Sequence, residues 1–109
     1  MGKPEHPDMD RLLAELRHPL RRELLRVAIG EKEPISPRDL ALKVKKPLSN
    51  VAYHVRVLAF CGGLEMVKKT PSRGSIQHFY RAAVTPEQGR EALRRSEEKN
   101  GDAAGEEIS

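Results

Sequence analysis

Prolines and glycines divide this chain into short segments, and their spacing limits the folds that are open to it. The sequence of 109 residues contains eight prolines and eight glycines, and helical patterns end at several of them, such as Pro19, Gly30 and Pro47. Proline disfavours helix in the residue before it, and glycine commonly ends a helix. Because 38% of the residues are hydrophobic and none is tryptophan, the core must be small and aliphatic. We therefore expect one domain built mainly from short helices.

Four segments show an apolar repeat of helical period. They are residues 9–17, 20–29, 36–44 and 49–62. Asp8 can cap the first segment, and Ser36 with Asp39 three residues later resembles a capping box at the start of the third. The third and fourth segments are separated by only a few residues, which predicts a helix-turn-helix.

Two extended segments follow the fourth helix, at residues 64–69 and 76–82, and the turn-forming sequence TPSRGS joins them. They predict a β-hairpin, which is a wing when it follows a helix-turn-helix. Thr85 and Gln88 then mark the start of a last helix, which is mostly charged. The expected fold class is mainly α with a small β-hairpin, a winged helix-turn-helix.

A single folded unit with short ends is expected along the chain. The predicted parts are a flexible N-terminus at 1–8, the winged helix-turn-helix domain at 9–85, a C-terminal helix at 86–100 and a disordered acidic tail at 101–109. No apolar run is long enough for a membrane span, and no signal peptide is recognised. With Cys61 as the single cysteine, an internal disulfide is excluded, so we expect a cytoplasmic protein.

Positive charge is concentrated in the middle of the chain. The net charge of the whole sequence is +4, but residues 36–81 contain nine basic and two acidic residues. A contiguous basic segment suits a polyanion such as double-stranded DNA. A basic face that docks on an acidic protein partner is the alternative, and charge alone favours nucleic acid only slightly.

The fourth predicted helix carries two faces of different chemistry. An apolar stripe of Val51, Val55 and Leu58 docks it on the core, whereas small, polar and basic residues cover the remainder. The exposed residues are Ser49, Asn50, Tyr53 and Arg56. Asparagine can pair bidentately with adenine, serine can bond a base or a phosphate, and a tyrosine ring can contact a thymine methyl group. This face is predicted to read base edges in the major groove, although Ser49 and Asn50 could instead cap the helix.

Basic residues around this helix are predicted to contact phosphate or the minor groove. They are Arg38, Lys45, Lys46, Arg56, Lys68, Lys69 and Arg73. Arg73 lies in the predicted wing loop, where basic residues follow phosphates and arginine enters narrow minor grooves. The alternative for the wing is that its lysines protect an edge strand from aggregation.

Four segments together resemble the winged helix-turn-helix domain of arsenic-repressor (ArsR)-type bacterial transcription regulators. They are LRHPLRRELLRVA, ISPRDLALKV, PLSNVAYHVRVLAFCGGLEMV and RGSIQHFYRA, and the resemblance covers residues 12–83. It implies a dimeric, DNA-binding transcriptional regulator, commonly a repressor, with its recognition helix at 51–58. The family's metal-sensing motif is missing, since residues 36–44 contain no cysteine and the last predicted helix contains no histidine. Gly63 also replaces the apolar residue that is usual after the helix-ending glycine.

Neither a metal site nor a catalytic site is predicted. The four histidines are not paired at helical spacing and only one cysteine is present, so no cofactor or metal is expected. No nucleophile motif or glycine-rich phosphate loop occurs, so an enzyme is not expected. His54 is interpreted as a packed, hydrogen-bonded or phosphate-contacting residue, and His18 as structural. Cys61 is interpreted as a small buried residue, with a redox switch as the sharper alternative.

A homodimer is expected, because helix-turn-helix proteins place two recognition helices in successive major grooves. The predicted contact residues are Met9, Leu12, Leu13, Leu16 and Leu93. Since the last helix offers little apolar surface, the dimer is expected to be weak or to form only on DNA.

Overall fold

The computed structural model describes the backbone of residues 8–108 and the side chains of residues 8–98. The elements are α1 (Met9–Glu15), α2 (Pro19–Gly30), α3 (Pro37–Val44), α4 (Leu48–Phe60), β1 (Leu64–Ser72), β2 (Ser75–Ala82) and α5 (Pro86–Ile108). A mainly helical chain with a two-stranded antiparallel hairpin directly after α4 confirms the predicted fold class. None of the helices in this part of the chain is long and apolar enough to cross a membrane.

Side chains that accept backbone N–H bonds cap four of the five helices, and the caps before α3 and α5 test the predicted patterns. Ser36 Oγ accepts a 3.1 Å bond from the backbone N of Asp39 at the start of α3. Before α5, Thr85 Oγ1 accepts from Gln88 N at 3.0 Å, and Gln88 Oε1 accepts from Thr85 N at 2.9 Å. The capping box predicted at the last helix is therefore confirmed.

Helix α4 begins one residue earlier than predicted and has no side-chain cap. Its N-cap residue is Pro47, and no side chain bonds the N–H groups of its first turn. Lys45 ends α3 in the left-handed conformation, with φ 59° and ψ 48°, and turns the chain toward α4. Ser49 and Asn50 thus lie inside the helix, and their interpretation as capping residues is wrong.

One aliphatic core joins the five helices and the root of the hairpin. Val51, Val55 and Leu58 of α4 are fully buried, so the predicted stripe is confirmed. They meet the fully buried leucines of the first three helices and of the C-cap of α1, which are Leu12, Leu16, Leu24, Leu25 and Leu40. Each such side chain stabilises the fold by about 1.5–3 kcal/mol. Tyr80 of β2 reaches the same core, and an isolated bridge joins it to Ile35 ahead of α3.

Strands β1 and β2 are joined by a two-residue turn at Arg73 and Gly74. Ser72 lies opposite Ser75, and the two turn residues have positive φ angles of 48° and 81°. Such a turn has a twist that matches the twist of the flanking strands. β1 extends to Ser72, beyond its predicted end at residue 69, because the turn uses only two residues of TPSRGS.

A bulge in β1 changes which residues face each other across the hairpin. The register passes from Met66 opposite Tyr80 to Lys68 opposite Phe79, so Val67 is an extra residue. Beyond the bulge, the ammonium group of Lys68 lies 5.1 Å from the centre of the Phe79 ring, a cation–π contact. The two side chains therefore share one face of the hairpin.

Helix α5 continues to Ile108, beyond the predicted end of the C-terminal helix at residue 100. Residues 101–108 contain two alanines and two glutamates, which are good helix formers, beside two glycines, which are poor ones. Among the described side chains, the inward face of α5 is short, and it consists of Gly89, Ala92, Leu93 and Ser96. Disorder of the acidic tail at 101–109 in solution stays a prediction. Of the predicted flexible N-terminus at 1–8, residues 1–7 lie outside the described residues, and Asp8 caps α1.

Candidate nucleic-acid interface

The polar face of α4 points away from the core. Ser49, Asn50, Tyr53 and Arg56 are all exposed, and Tyr53 leaves 52% of its surface in solvent. Because α4 packs through the opposite stripe, these side chains take no part in the core. α3 packs directly against α4, as the two helices of a helix-turn-helix do. The arrangement leaves the polar face open to a large partner.

Every basic residue predicted to contact phosphate is exposed. These residues are Arg38, Lys45, Lys46, Arg56, Lys68, Lys69 and Arg73. Among the described side chains, none of the seven forms an ion pair. The other two basic residues of the segment 36–81 do so, since Lys43 pairs with Glu31 and Arg81 with Glu65. The predicted cations therefore keep their charge available for an external anion.

A groove separates α4 from the hairpin and brings together residues that are distant in sequence. Its volume is about 350 Å³. Arg38 from the first turn of α3 and Arg73 from the hairpin turn both line it, and Leu48 and Ile76 add apolar walls. Cations bind phosphates and apolar groups contact sugars, so the lining matches the chemistry of a sugar-phosphate strand.

The other predicted cations do not line this groove. Lys45 and Lys46 lie in the turn between α3 and α4, Arg56 lies in the second half of α4, and Lys68 and Lys69 lie on β1. The structure thus brings one arginine pair together at the groove and distributes the remaining cations around it.

Of the ten residues that line the groove, sequence reasoning identified Arg38 and Arg73 as site residues and missed the others, among them Leu48 and His78. Leu48 is the first residue of α4 and is 49% exposed. His78 is half-buried on β2. Alternation along a strand places Ile76, His78 and Tyr80 on one face. Since Tyr80 is a core residue, this period of two could have identified His78 as facing the helices.

His54 lies beneath the polar face of α4 and is 9% exposed. Its Nδ1 accepts a 2.9 Å hydrogen bond from Nε of Arg21 in α2. Its ring centre is 4.2 Å from that of His18 and 5.0 Å from that of Tyr53. His18 Nδ1 in turn accepts from the backbone N of Leu20 and caps α2. The interpretations of His54 as a packed, hydrogen-bonded residue and of His18 as structural are confirmed.

His18 and His54 both favour the neutral form of the imidazole ring. Burial is the main cause that lowers the pKa of His54, and the neighbouring His18 and Arg21 lower it further. The pKa of His18 is lowered first by partial burial of its ring and then by Arg21 and Arg22. Positive charge on either ring is therefore unfavourable in the folded protein.

Cys61 is buried directly after α4. Its Sγ donates a 3.5 Å bond to the carbonyl oxygen of Leu58, and burial raises the pKa of the thiol. A protonated, buried thiol reacts slowly, which favours a structural role over a redox switch. Among the side chains of residues 8–98, no three metal-ligating residues lie close enough to hold a metal ion.

The residues predicted to form a dimer are mostly used by the chain's own core. Leu12 and Leu16 are fully buried, and Leu93 is only 7% exposed, so these three are corrected from surface to core residues. Met9 and Leu13 are partly buried and pack against the same core. A dimer through α1 stays a prediction, with its available apolar surface reduced to these two side chains.

The fold is similar to that of a solved structure, a "possible transcriptional regulator" from Methanosarcina mazei Go1. The TM-score is 0.60 at 18% sequence identity, and the alignment covers 91% of this chain and 83% of the other. No protein-family model matches the sequence, and the search of curated proteins gives no match. The chain therefore has a mainly helical fold with a two-stranded hairpin, consistent with the winged helix of a regulator.

Proposed function

We propose that this protein is a transcriptional regulator that binds double-stranded DNA in a sequence-specific manner. In this proposal α4 enters the major groove and the hairpin reaches the adjoining minor groove as a wing. The single observation that carries the proposal is the groove between α4 and the hairpin. One strand of a duplex separates its major groove from its minor groove, so that strand must pass between the two elements.

The groove fits such a strand in charge and in surface chemistry. Arg38 and Arg73 face it from two elements, and neither has a carboxylate partner among the described side chains. Phosphate contacts of this kind fix the position of a protein on DNA without reading its sequence. Leu48 and Ile76 provide apolar contacts for the sugars. The strand would thereby set the depth at which Asn50 and Tyr53 meet the base edges.

The backbone at Arg73 supports a role for its guanidinium group. Its φ of 48° lies in the left-handed region, where asparagine or glycine fits with less strain than arginine. Strained backbone is retained mainly where a particular side chain has a function. A loop that only keeps the hairpin soluble needs no arginine at this position, whereas an arginine at a wing tip can enter a narrow minor groove.

We further propose that the protein is a repressor of the arsenic-repressor (ArsR) type that acts in the bacterial cytoplasm as a homodimer. The support is the resemblance of residues 12–83 to the DNA-binding domain of that family. A dimer would place two copies of α4 in successive major grooves. Met9 and Leu13 offer little surface for it, which agrees with assembly that is weak or depends on DNA.

Selection of bound fragments from random double-stranded DNA tests the proposal. The purified protein should enrich one sequence motif, and fluorescence anisotropy should give a Kd for that motif at least about 10³-fold lower than for random DNA. The affinity for both should fall as salt is added, with a log–log slope of about −0.9 for each phosphate contacted. A duplex with the motif scrambled is the matched control.

An acidic protein partner is the alternative occupant of the basic surface. If selection enriches no motif and the protein shows almost no salt-dependent affinity for any duplex, the DNA proposal is contradicted. Tight binding to an acidic polypeptide, measured in the same buffer and salt series, would then favour the protein-interaction function.

A further inference from the structure

We propose that Arg21 and His54 are positioning residues for α4, and that protonation of His54 weakens sequence-specific DNA binding. This inference rests on the proposed function, because it assigns a regulation to the same helix. Both side chains lie beneath the predicted DNA-facing surface, where the ring of His54 contacts that of Tyr53. They act by holding the helix that carries it.

The contact between Arg21 and His54 joins α2 to α4 under the polar face. Arg21 donates from Nε to His54 Nδ1 at 2.9 Å. Its Nη1 donates to the carboxylate of Glu15 at 2.6 Å and to the Glu15 carbonyl oxygen at 3.2 Å. The guanidinium group is thus held by the carboxylate and the carbonyl oxygen of Glu15, the last residue of α1, and its Nε–H is directed at Nδ1 of His54. A single side chain connects α1, α2 and α4.

His54 transmits this connection to the DNA-facing residues because it lies among them along α4, after Tyr53 and before Arg56. Its ring lies against Tyr53, whose own ring is exposed on the polar face. Its other flank lies against His18, the residue that caps α2. A rotation of α4 about its axis would pull His54 away from Arg21 and His18. The contact therefore fixes the rotation at which Tyr53 and Asn50 are presented.

Protonation of His54 would remove the acceptor on which this arrangement depends. Nδ1 accepts a bond from Arg21, so the neutral ring carries its proton on Nε2. A proton on Nδ1 would oppose the N–H of Arg21 and place a second positive charge beside it. The groups that face the ring are Arg21 and His18 on the α2 side, with Arg22 near His18, and Tyr53 on α4 itself. Glu15 is the one carboxylate of this set, and it is engaged with Arg21.

The direction of the pH effect follows from the pKa of His54, which is lower in the folded protein than its ordinary value of 6.5. Above pH 6.5 the ring is neutral in both the folded and the unfolded chain, so the full stability is present. As the pH falls below 6.5, the unfolded chain binds the proton first, and stability decreases until the folded-state pKa is passed. Specific binding depends on the ring in the folded chain, so it should decrease only as the pH approaches and passes the lowered folded-state pKa of His54.

The test measures the affinity for the selected DNA motif from about pH 8 to about pH 5 by fluorescence anisotropy. Below the pKa of His54 the wild-type affinity should fall by up to about tenfold per pH unit. His54→Asn places a non-titrating carbonyl oxygen near the position of Nδ1, so it should retain binding at pH 8 and remove most of the acidic loss. His6→Asn is the matched control, since it makes the same substitution at another histidine of the chain, and it should keep the wild-type profile.

A second pair of measurements tests the positioning role of Arg21. In Arg21→Lys the charge is kept, but one ammonium group cannot hold Glu15 and His54 in the planar geometry of a guanidinium. This variant should lose several-fold in affinity for the selected motif and little for random DNA. NMR titration of the histidine rings should give a pKa of His54 below 6.5 in the wild type and a higher pKa in Arg21→Ala, because Arg21 lowers it. Circular dichroism shows whether the variants fold.

Two results would overturn the inference. One is an acidic loss of affinity that is as large in His54→Asn as in the wild type. The other is a His54 ring that titrates at or above 6.5 in the folded protein. If the wild type binds no duplex at any pH, the proposed function fails and its regulation with it, whereas the NMR titration still reports whether Arg21 contacts His54.

Discussion

Ile35 and Tyr80 exchange both of their backbone hydrogen bonds, at 2.8 Å from the N of Ile35 and 2.9 Å from the N of Tyr80. Tyr80 also lies opposite Met66 within the hairpin. The root of the hairpin is therefore held on one side by β1 and on the other by the segment that leads into α3. Its tip, at Arg73 and Gly74, is held by the hairpin alone.

Amide hydrogen exchange should divide the wing into a slow root and a fast tip. The amides of Ile35 and Tyr80 are bonded and close to the core, so we expect them to exchange at least about tenfold more slowly than those of Gly74 and Ser75. NMR-detected exchange at neutral pH measures this. Equal rates at root and tip would show that the bridge does not hold the hairpin to the helices in solution.

Asn50→Ala and Tyr53→Ala should separate sequence reading from electrostatic attraction. Each should weaken binding to the selected motif by about 1–3 kcal/mol and leave binding to random DNA nearly unchanged, because base contacts are lost and phosphate contacts remain. Lys69→Ala should weaken both and lower the magnitude of the log-affinity versus log-salt slope by about one. Anisotropy over a salt series provides all three values.

The same series can contradict the assignment of the polar face. If the Asn50 and Tyr53 variants lose specific and random binding equally, α4 contacts DNA without reading its sequence. If they lose neither, α4 is not at the DNA, and the protein-interaction alternative is favoured. Circular dichroism controls for unfolded variants.

Arg73→Asn should change stability and DNA affinity in opposite directions. Asparagine before glycine suits a turn with two positive φ angles, so the hairpin should gain up to about 1 kcal/mol of stability. Removing the guanidinium group should weaken DNA binding, most strongly on sites with a narrow, A·T-rich minor groove. Thermal unfolding and anisotropy measure the two effects.

Lys69→Asn is the matched control for that experiment. It removes one charge from the same hairpin at a strand position with ordinary φ, where asparagine is disfavoured. It should weaken DNA binding without raising the melting temperature. A gain of stability in Lys69→Asn, or none in Arg73→Asn, would show that strain at Arg73 is not the cause.

Leu13→Lys and Leu16→Ala should separate assembly from folding. Leu13 is partly exposed, so a lysine there should reduce any dimer and leave the monomer folded. Leu16 is fully buried, so its truncation should cost about 2–5 kcal/mol of folding stability. Sedimentation with and without the selected DNA, together with thermal unfolding, measures both. A wild-type chain that stays monomeric in both conditions would contradict the homodimer.

Short-range patterns were sufficient to predict most of the elements. The break at His18 and Pro19, the cap at Ser36 and the stripe from Val51 to Leu58 are all local signals, and each has a counterpart in the structure. The exposed residues of α4 follow from that stripe, because the opposite face of a helix with one buried stripe must be outside.

Features that depend on distant contacts could not be predicted in this way. The Arg21–His54 bond joins residues in α2 and α4, and the sequence contains no pattern that pairs them. The groove likewise depends on contacts between distant segments, since the bridge from Tyr80 to Ile35 joins the root of β2 to the residues before α3. The sequence predicts Leu12 and Leu16 as dimer contacts because an apolar stripe of helical period has the same pattern whether it packs against another copy or against the chain's own α4 and α5.

The extra residue at Val67 shifts by one position the alternation of β1 side chains between the two faces of the hairpin. Lys69 lies opposite His78 beyond the bulge and Lys68 opposite Phe79, and directly opposed side chains share a face. Lys69 is thereby on the face of the groove residue His78, and Lys68 is on the other. Alternation counted from Met66 without the bulge would place Lys68 on the face of Tyr80 and Lys69 on the other face. The extra residue at Val67 therefore decides that Lys69, and not Lys68, lies on the groove side of a wing that is equally basic in either arrangement.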